Sequence, residues 1–237
     1  IPAADSAHPI LTGANTPVVL GFDGSAAIGS YANLVDAVAA IGATETTLLI
    51  NGPQTTDSVT IPSTLLIQFT VDGSLSVNSG QTVTINSRPD LIPGRRYFFG
   101  QGSVVFGTEA AAVGVDLGWW AFNDGATNDS AAFVQAFTSL ANGGKLTIPA
   151  GRFQISTNLT DIPDCITFEG QGHSYDTGNS VTTLLIRTAH TGFTIGAAQR
   201  NITFRNLRLE GEDKTNTVGV LLQADAVDGA TFGVRFD

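Results

Sequence analysis

Charge is scarce in this sequence. Only 14% of its 237 residues are Asp, Glu, Lys or Arg, well below the usual quarter. A surface facing water must then be built from Ser, Thr, Asn, Gln and Gly. Cations are scarcer still, with 11 Lys and Arg against 21 Asp and Glu and a net charge of −10. No basic cluster exists, which argues against nucleic acid as a partner and against anionic membrane surfaces. No stretch approaches 18 uninterrupted apolar residues, so no membrane-spanning helix is expected. No cationic stretch leads into an apolar run, so no signal peptide is visible. The single cysteine, Cys165, rules out an internal disulfide. Its setting in DCITFEG reads as strand and implies a buried, inert thiol. A Cys/His metal cluster, a phosphate loop and a Gly-x-Ser-x-Gly elbow are all missing, so no cofactor is expected.

Turns and β-branched residues fill the space. The chain has 27 Gly and 9 Pro, with short Val-, Ile- and Thr-rich runs between them, so the class is mostly β. Residues 1–28 show no sustained period and read as an arm or linker. Residues 29–106 form an N-terminal module. In it, SYANLVDAVAAIG predicts a short helix with Ser30 as N-cap, Leu34, Val35, Val38 and Ile41 on one face, and Gly42 after its end. Alternating strands follow up to Phe106. Residues 107–118 connect to a second region, 119–237. There a helix carries Phe133, Phe137 and Leu140 on one face, is capped by Asp129 or Ser130, and ends at Gly143-Gly144. The two modules share a plan, in which Ile50 aligns with Ile148 and Ile61 with Ile162.

A tighter repeat follows. ITFEG at Ile166 recurs as ITFRN at Ile202 (202 − 166 = 36). At the same offset Leu184 matches Val220 (220 − 184 = 36). Repeats of this size imply stacked units. Ile166, Phe168, Ile202 and Phe204 then point inward in columns, and Thr167 and Thr203 outward.

The stretch WWAFNDGATNDSAAFVQAFTSLANGGKLTIPAGRFQIS resembles the opening of the pectate-lyase-like β-helix superfamily. Asp124-Gly125, Asn128-Asp129-Ser130, Gly143-Gly144, Ile148-Pro149 and Gly151 stand at the family's places. Asn128 and Ser130 replace its usual Asp and Thr. The resemblance implies a right-handed parallel β-helix with short capping helices and an N-terminal β-rich leader. It also implies a carbohydrate context, since phage tailspikes, polysaccharide lyases and glycoside hydrolases share this opening. The sequence stops at FGVRFD inside a regular coil, which reads as a truncated fragment whose catalytic groups, if any, lie elsewhere.

Candidate chemistry falls in two turns. FEGQGHSYDTGN offers Glu169, His173 and Tyr175, with Tyr175 able to stack on a sugar ring and His173 able to carry a proton. LEGEDKTN offers Glu210, Glu212 and Asp213, the carboxylates that glycoside hydrolysis or Ca²⁺ binding uses. Arg205 and Arg208 flank Asn206-Leu207 as ligand contacts, and Arg187 and Arg200 are further cations. The Asp124-to-Ser130 cluster reads as structural capping, and Trp119-Trp120 as packing. The favoured expectation is a tailspike-like receptor-binding protein on a virion or outside the cell. It would form a homotrimer that recognises surface polysaccharide, and depolymerises it if catalytic, with its arm docked on another virion protein. A secreted bacterial lyase or hydrolase, and a non-catalytic adhesive solenoid, are the alternatives.

Overall fold

A computed structural model describes residues 11–13, 16–18, 25–88, 90–172, 181–187, 189–196, 199–212, 217–222 and 234–237. The chain is mostly β, in short strands joined into small sheets. Leu11–Gly13 and Thr16–Val18 pair antiparallel. The other pairings given below are parallel. Two compact units divide the chain: residues 1–91 with 97–104, and residues 92–96 with 105–237.

In the first unit the chain visits three sheets in rotation. The first sheet holds Ala26–Ala27, Thr46–Ile50 and Leu65–Phe69. The second holds Pro53–Thr56, Ser74–Val77 and Phe98–Gly100. The third holds Val59–Ile61 and Thr82–Ile85, and the strand Ser103–Phe106 joins it and leads onward. Alternation decides which side faces in: Leu48, Ile50, Leu65, Ile67, Leu75, Val77, Val83 and Ile85 are all buried. Successive passes are short, since Thr46 pairs with Leu65 and Val59 with Val83. Ala26 and Ile28 are buried, so the core already begins within the segment read as an arm.

The first helix runs Leu34–Ile41. Its cap is Asn33 rather than Ser30, and the Asn33 side chain accepts from the Asp36 amide at 2.9 Å. Ser30 instead closes a 3-10 turn, Ile28–Ser30. Leu34, Ala37 and Ile41 are buried, while Val35 is exposed. The buried face is therefore rotated from the expected one, with Ala37 taking the place given to Val35.

The second unit repeats the rotation with strands of similar length and longer intervals between paired strands. One sheet orders Val115–Asp116, Gly144–Thr147, Ile166–Glu169, Ile202–Arg205 and Val234–Phe236 side by side. A second orders Asp124–Asn128, Gly151–Ile155, Thr182–Ile186 and Arg208–Gly211. A third pairs Thr191–Ile195 with Val218–Leu222. Thr167 lies opposite Thr203, and Phe168 opposite Phe204, so Ile166 and Ile202 sit on neighbouring strands as their repeat requires. Phe168 and Phe204 stack at 4.5 Å and 10°, and Phe204 stacks on Phe236 at 5.3 Å and 11°.

The other half of that repeat is corrected. Leu184 pairs with Leu209, and Val220 pairs with Phe193. TLLIRT and GVLLQA are alike as short apolar strand sequences, yet they belong to different sheets, and Thr182–Ile186 is buried throughout while Val218, Leu221 and Leu222 are exposed. Likewise Ile61 lies in a strand and Ile162 does not, so the shared plan of the two modules does not extend to these two positions.

Turn geometry explains where the strands of the long sheet begin. Gly143, Cys165 and Asn201 all have positive φ (84°, 57° and 56°). Each immediately precedes a strand, and the following residues stack as Gly144, Ile166 and Ile202. A left-handed residue is needed at this corner, which glycine and asparagine adopt most readily. Cys165 is exposed there, contrary to the buried thiol expected from its apolar neighbours. The strand starts one residue later, at Ile166.

A short helix, Thr108–Ala111, lies in the connection, and the longer helix Ser130–Ser139 lays Phe133 and Phe137 on the aromatic column. Phe137 meets Phe168 edge-on at 5.8 Å, and Phe133 meets Phe193 at 5.9 Å. Trp119 and Trp120 are buried against Phe106, which is a packing role and not an open sugar platform.

Candidate functional site

The Asp124-to-Ser130 cluster joins strands, and the expected cap is corrected: Asp129 stands at the N-cap of Ser130–Ser139 but its side chain accepts nothing from the helix's amides, and neither does the Ser130 hydroxyl. Asn128 Oδ1 accepts from the Ser130 amide at 3.0 Å and from the Ser156 amide at 3.2 Å. Ser130 Oγ accepts from the Ser156 and Thr157 amides at 3.1 Å. Asp129 accepts from the Phe122 amide at 2.6 Å through one oxygen and from the Gln154 amide at 3.1 Å through the other. Burial pushes Asp129 up to about 6, against those two amides. Asp116 behaves similarly: burial lifts it to about 6 while the Gly94 and Gly118 amides pull it down. Both carboxyls are enclosed and committed to backbone, so neither reaches a substrate.

Glu169, Arg205, Arg208, Glu210 and Glu212 fall into separate ion pairs. Glu169 ends one strand of the long sheet and Arg205 ends the next, directly opposite. They form a salt bridge, and Asn206 Nδ2 donates to Glu169 Oε1 at 2.8 Å. Burial alone would raise the Glu169 carboxyl. Hydrogen bonds from Asn206 and Arg205, with the nearby charges of Arg205 and Lys145, outweigh that and hold it below the usual value. Glu212 pairs with Arg187 at the end of the second sheet. His173, Tyr175 and Asp213 lie outside the described residues.

The second sheet carries the denser cluster. Arg152, Thr183 and Arg208 are in register across three strands, and so are Gln154, Leu185 and Glu210. Residues two apart share a face, so all six point away from Phe153 and Leu184, which are fully buried. Arg152 donates to Glu210 at 3.2 Å and Arg208 Nη2 approaches Glu210 at 3.4 Å. Arg152 and Glu210 are two strands apart, roughly 10 Å of backbone spacing. Their bridge therefore passes over Thr183 and Leu185, which explains why those outward residues are only 3% and 8% exposed. The Arg152, Arg208 and Glu210 side chains remain about a quarter exposed (27%, 29% and 25%).

Arg152 and Gln154 were not singled out from the sequence. Glu169 and Arg205 were, and their opposition was readable: they occupy the same place in ITFE and ITFR. No such match links Arg152 to Glu210. Among the described residues no group of three or more His, Cys, Asp or Glu side chains could hold a metal ion, and no helix is long and apolar enough to cross a membrane. A separate groove of about 360 Å³ is lined by Val134, Phe137 and Thr138 of the helix Ser130–Ser139 and by Asn158, Asp161 and Pro163.

No known protein family, curated protein or solved structure matches this chain.

Proposed function

We propose that the stacked sheets are the faces of a right-handed parallel β-helix, and that the chain is part of a tailspike-like protein recognising cell-surface polysaccharide. The observation that carries this reading is the cyclic visiting of parallel sheets with Thr167 opposite Thr203 and Phe168 stacked on Phe204. Successive turns of chain then shield one another, and long side chains are free to line an outer face. The low charge and the hydroxyl- and amide-rich surface suit binding to sugars, whose hydroxyls need both donors and acceptors.

Recognition is favoured over cleavage. Glu169, Glu210 and Glu212 each face an arginine. A general acid is kept protonated by burial or by a second carboxylate, and arginine neighbours supply neither. A homotrimer with the N-terminal segment docked on another virion component completes the proposal.

Light scattering on the full chain, with retention on immobilised bacterial surface polysaccharides, tests it. A trimer that binds without releasing reducing ends is expected. A monomer retained on none of them overturns the reading, and unsaturated or reducing products convert it to a lyase or hydrolase.

A further inference from the structure

The groove of about 360 Å³ in the second unit has two walls, the helix Ser130–Ser139 and residues 158–163. The 158–163 segment holds only an isolated bridge, Leu159 to Phe193, yet chain further along pins it firmly. Leu159 donates to the Gly192 carbonyl at 3.0 Å and accepts from the Thr194 amide at 2.8 Å. Gln199 Nε2 donates to the Thr160 and Ile162 carbonyls at 2.9 and 2.6 Å. Asn158 Oδ1 accepts from the Thr191 amide at 2.9 Å. A wall fixed in this way loses little freedom when a ligand docks.

The groove presents two kinds of surface. Val134 is 53% exposed on the helix, and Pro163 on the facing segment is half-buried. With the buried Phe137 and Leu159 they give it an apolar side. Thr138, Asn158 and Asp161 are exposed and polar. The Thr138 hydroxyl donates to the Val134 carbonyl at 2.9 Å, which leaves its oxygen open to a donor. Among the described residues the Asn158 amide nitrogen donates to nothing. Asp161 likewise enters no salt bridge there, whereas Glu169, Glu210 and Glu212 each face an arginine. Its hydrogen bond from Thr160 Oγ1 is long, at 3.4 Å.

These groups select the chemistry of an occupant. No Lys or Arg lines the groove, and Asp161 is the charged residue in it. A uronate carboxylate or sulfate ester, an acceptor only, would meet that charge with no cation to offset it. A wholly aliphatic ligand would strip water from Asp161 without replacing its hydrogen bonds. A sugar ring carries both an apolar C–H face and hydroxyls that donate and accept. The volume falls at the small end of the roughly 300–1,000 Å³ usual for ligand sites. We infer that this groove seats a ring of a neutral sugar, its C–H face on Val134 and Pro163 and its hydroxyls on Asn158 and Asp161. The inference rests on the polysaccharide-recognition reading and gives it a location and a substrate class. Asp161 takes hydroxyl protons, and Asn158 donates to a hydroxyl oxygen.

The test is binding of the full chain to an array of neutral hexose and deoxyhexose oligosaccharides beside oligogalacturonate and alginate. Neutral glycans should bind, with little change between low and high salt because no ligand charge is screened. Asp161→Asn keeps the shape of the side chain and removes its charge, and should weaken that binding about tenfold, the usual worth of one charge-assisted hydrogen bond. Val134→Arg fills the groove from an exposed helical position and should abolish binding. Thr138→Arg, one turn further on, should do the same, so the test survives if either variant misfolds. Unchanged thermal midpoints verify folding. Preference for the uronates, with strong salt dependence, overturns the neutral-sugar assignment and leaves polysaccharide recognition standing. Neutral binding indifferent to all three variants overturns the location. Both arginine variants changing the oligomeric state in light scattering, with glycan binding intact, assigns the groove to a second copy and overturns the inference. Failure to bind any glycan overturns the recognition reading and this inference with it.

Discussion

Asp116 and Asp129 are alike in burial and differ in how they use their oxygens. Asp116 takes both the Gly94 and Gly118 amides on Oδ1, and its Oδ2 is buried without a partner. Asp129 spends one oxygen on each of two amides. Asn at position 116 would keep both hydrogen bonds and remove a buried charge. At position 129 it would point an amide N–H₂ at a backbone N–H. Asp116→Asn is therefore expected to raise the thermal midpoint at about pH 7.5, and Asp129→Asn to lower it, both read by scanning calorimetry. Two variants moving in the same direction would refute this account. Gly151 offers a second residue-scale test. Its φ is 135°, and a Cβ there would land on the Asn123 carboxamide. Gly151→Ala combines backbone strain with that collision and is expected to cost more than about 2 kcal/mol in denaturant unfolding.

The elements draw their stability from the aromatic column. Phe168 is fully buried, stacked on Phe204, and touched edge-on by Phe137 and Phe193. Phe168→Ala should cost about 3–5 kcal/mol. Phe236, at 60% exposure, keeps much of its surface in water, so Phe236→Ala should cost distinctly less. Equal losses in urea titrations would mean that the column is not the shared core described here. This column was legible because ITFE and ITFR repeat their inward Ile and Phe in the same order. The strand partners of Leu184 and Val220 were not. Intervals between paired strands differ from sheet to sheet, with Thr167 to Thr203 spanning 36 residues (203 − 167) and Thr183 to Arg208 spanning 25 (208 − 183). One offset cannot serve both. In the first unit TLLI recurs at Thr47 and at Thr64, 17 residues apart (64 − 47), but the strands pair at an offset of 19 (65 − 46), so the repeated letters do not give the register of its shorter rotation. The Arg152–Glu210 bridge was hidden for a related reason: it joins strands that are not neighbours.

Across the whole molecule, four carboxyls among the described residues set the pH dependence: Asp116 and Asp129 on one side, and on the other Glu169 and Asp124, which hydrogen bonds from the Thr127 and Ala126 amides hold below its usual value. Asp116 and Asp129 titrate near 6 when folded against an ordinary 3.8. Proton binding therefore favours the folded state, and that contribution is complete below about 3.8 and lost as pH rises through about 6. Each group is worth about 3 kcal/mol at most, from two units of displacement. Glu169 has the opposite sign: held below its ordinary 4.5, it stabilises the fold above that value and gives this up as pH falls. The thermal midpoint should thus peak near pH 4, fall between there and about pH 6 and level off above it, and Asp116→Asn should make that fall shallower. A midpoint climbing steadily from about pH 5 to 8 would contradict this.

Irregular spacing has a consequence for how such a chain can diversify. Gly144 to Ile166 takes 22 residues (166 − 144), Ile202 to Val234 takes 32 (234 − 202), yet all four are stations of one sheet. Position in the sheet is fixed by short paired segments, and each interval also passes through strands of the other sheets, so only the turns that join the strands are free of that obligation. A lineage can lengthen, trim or exchange such a turn while the sheets beneath go on assembling unchanged, so the outer surface can be revised faster than what holds it up.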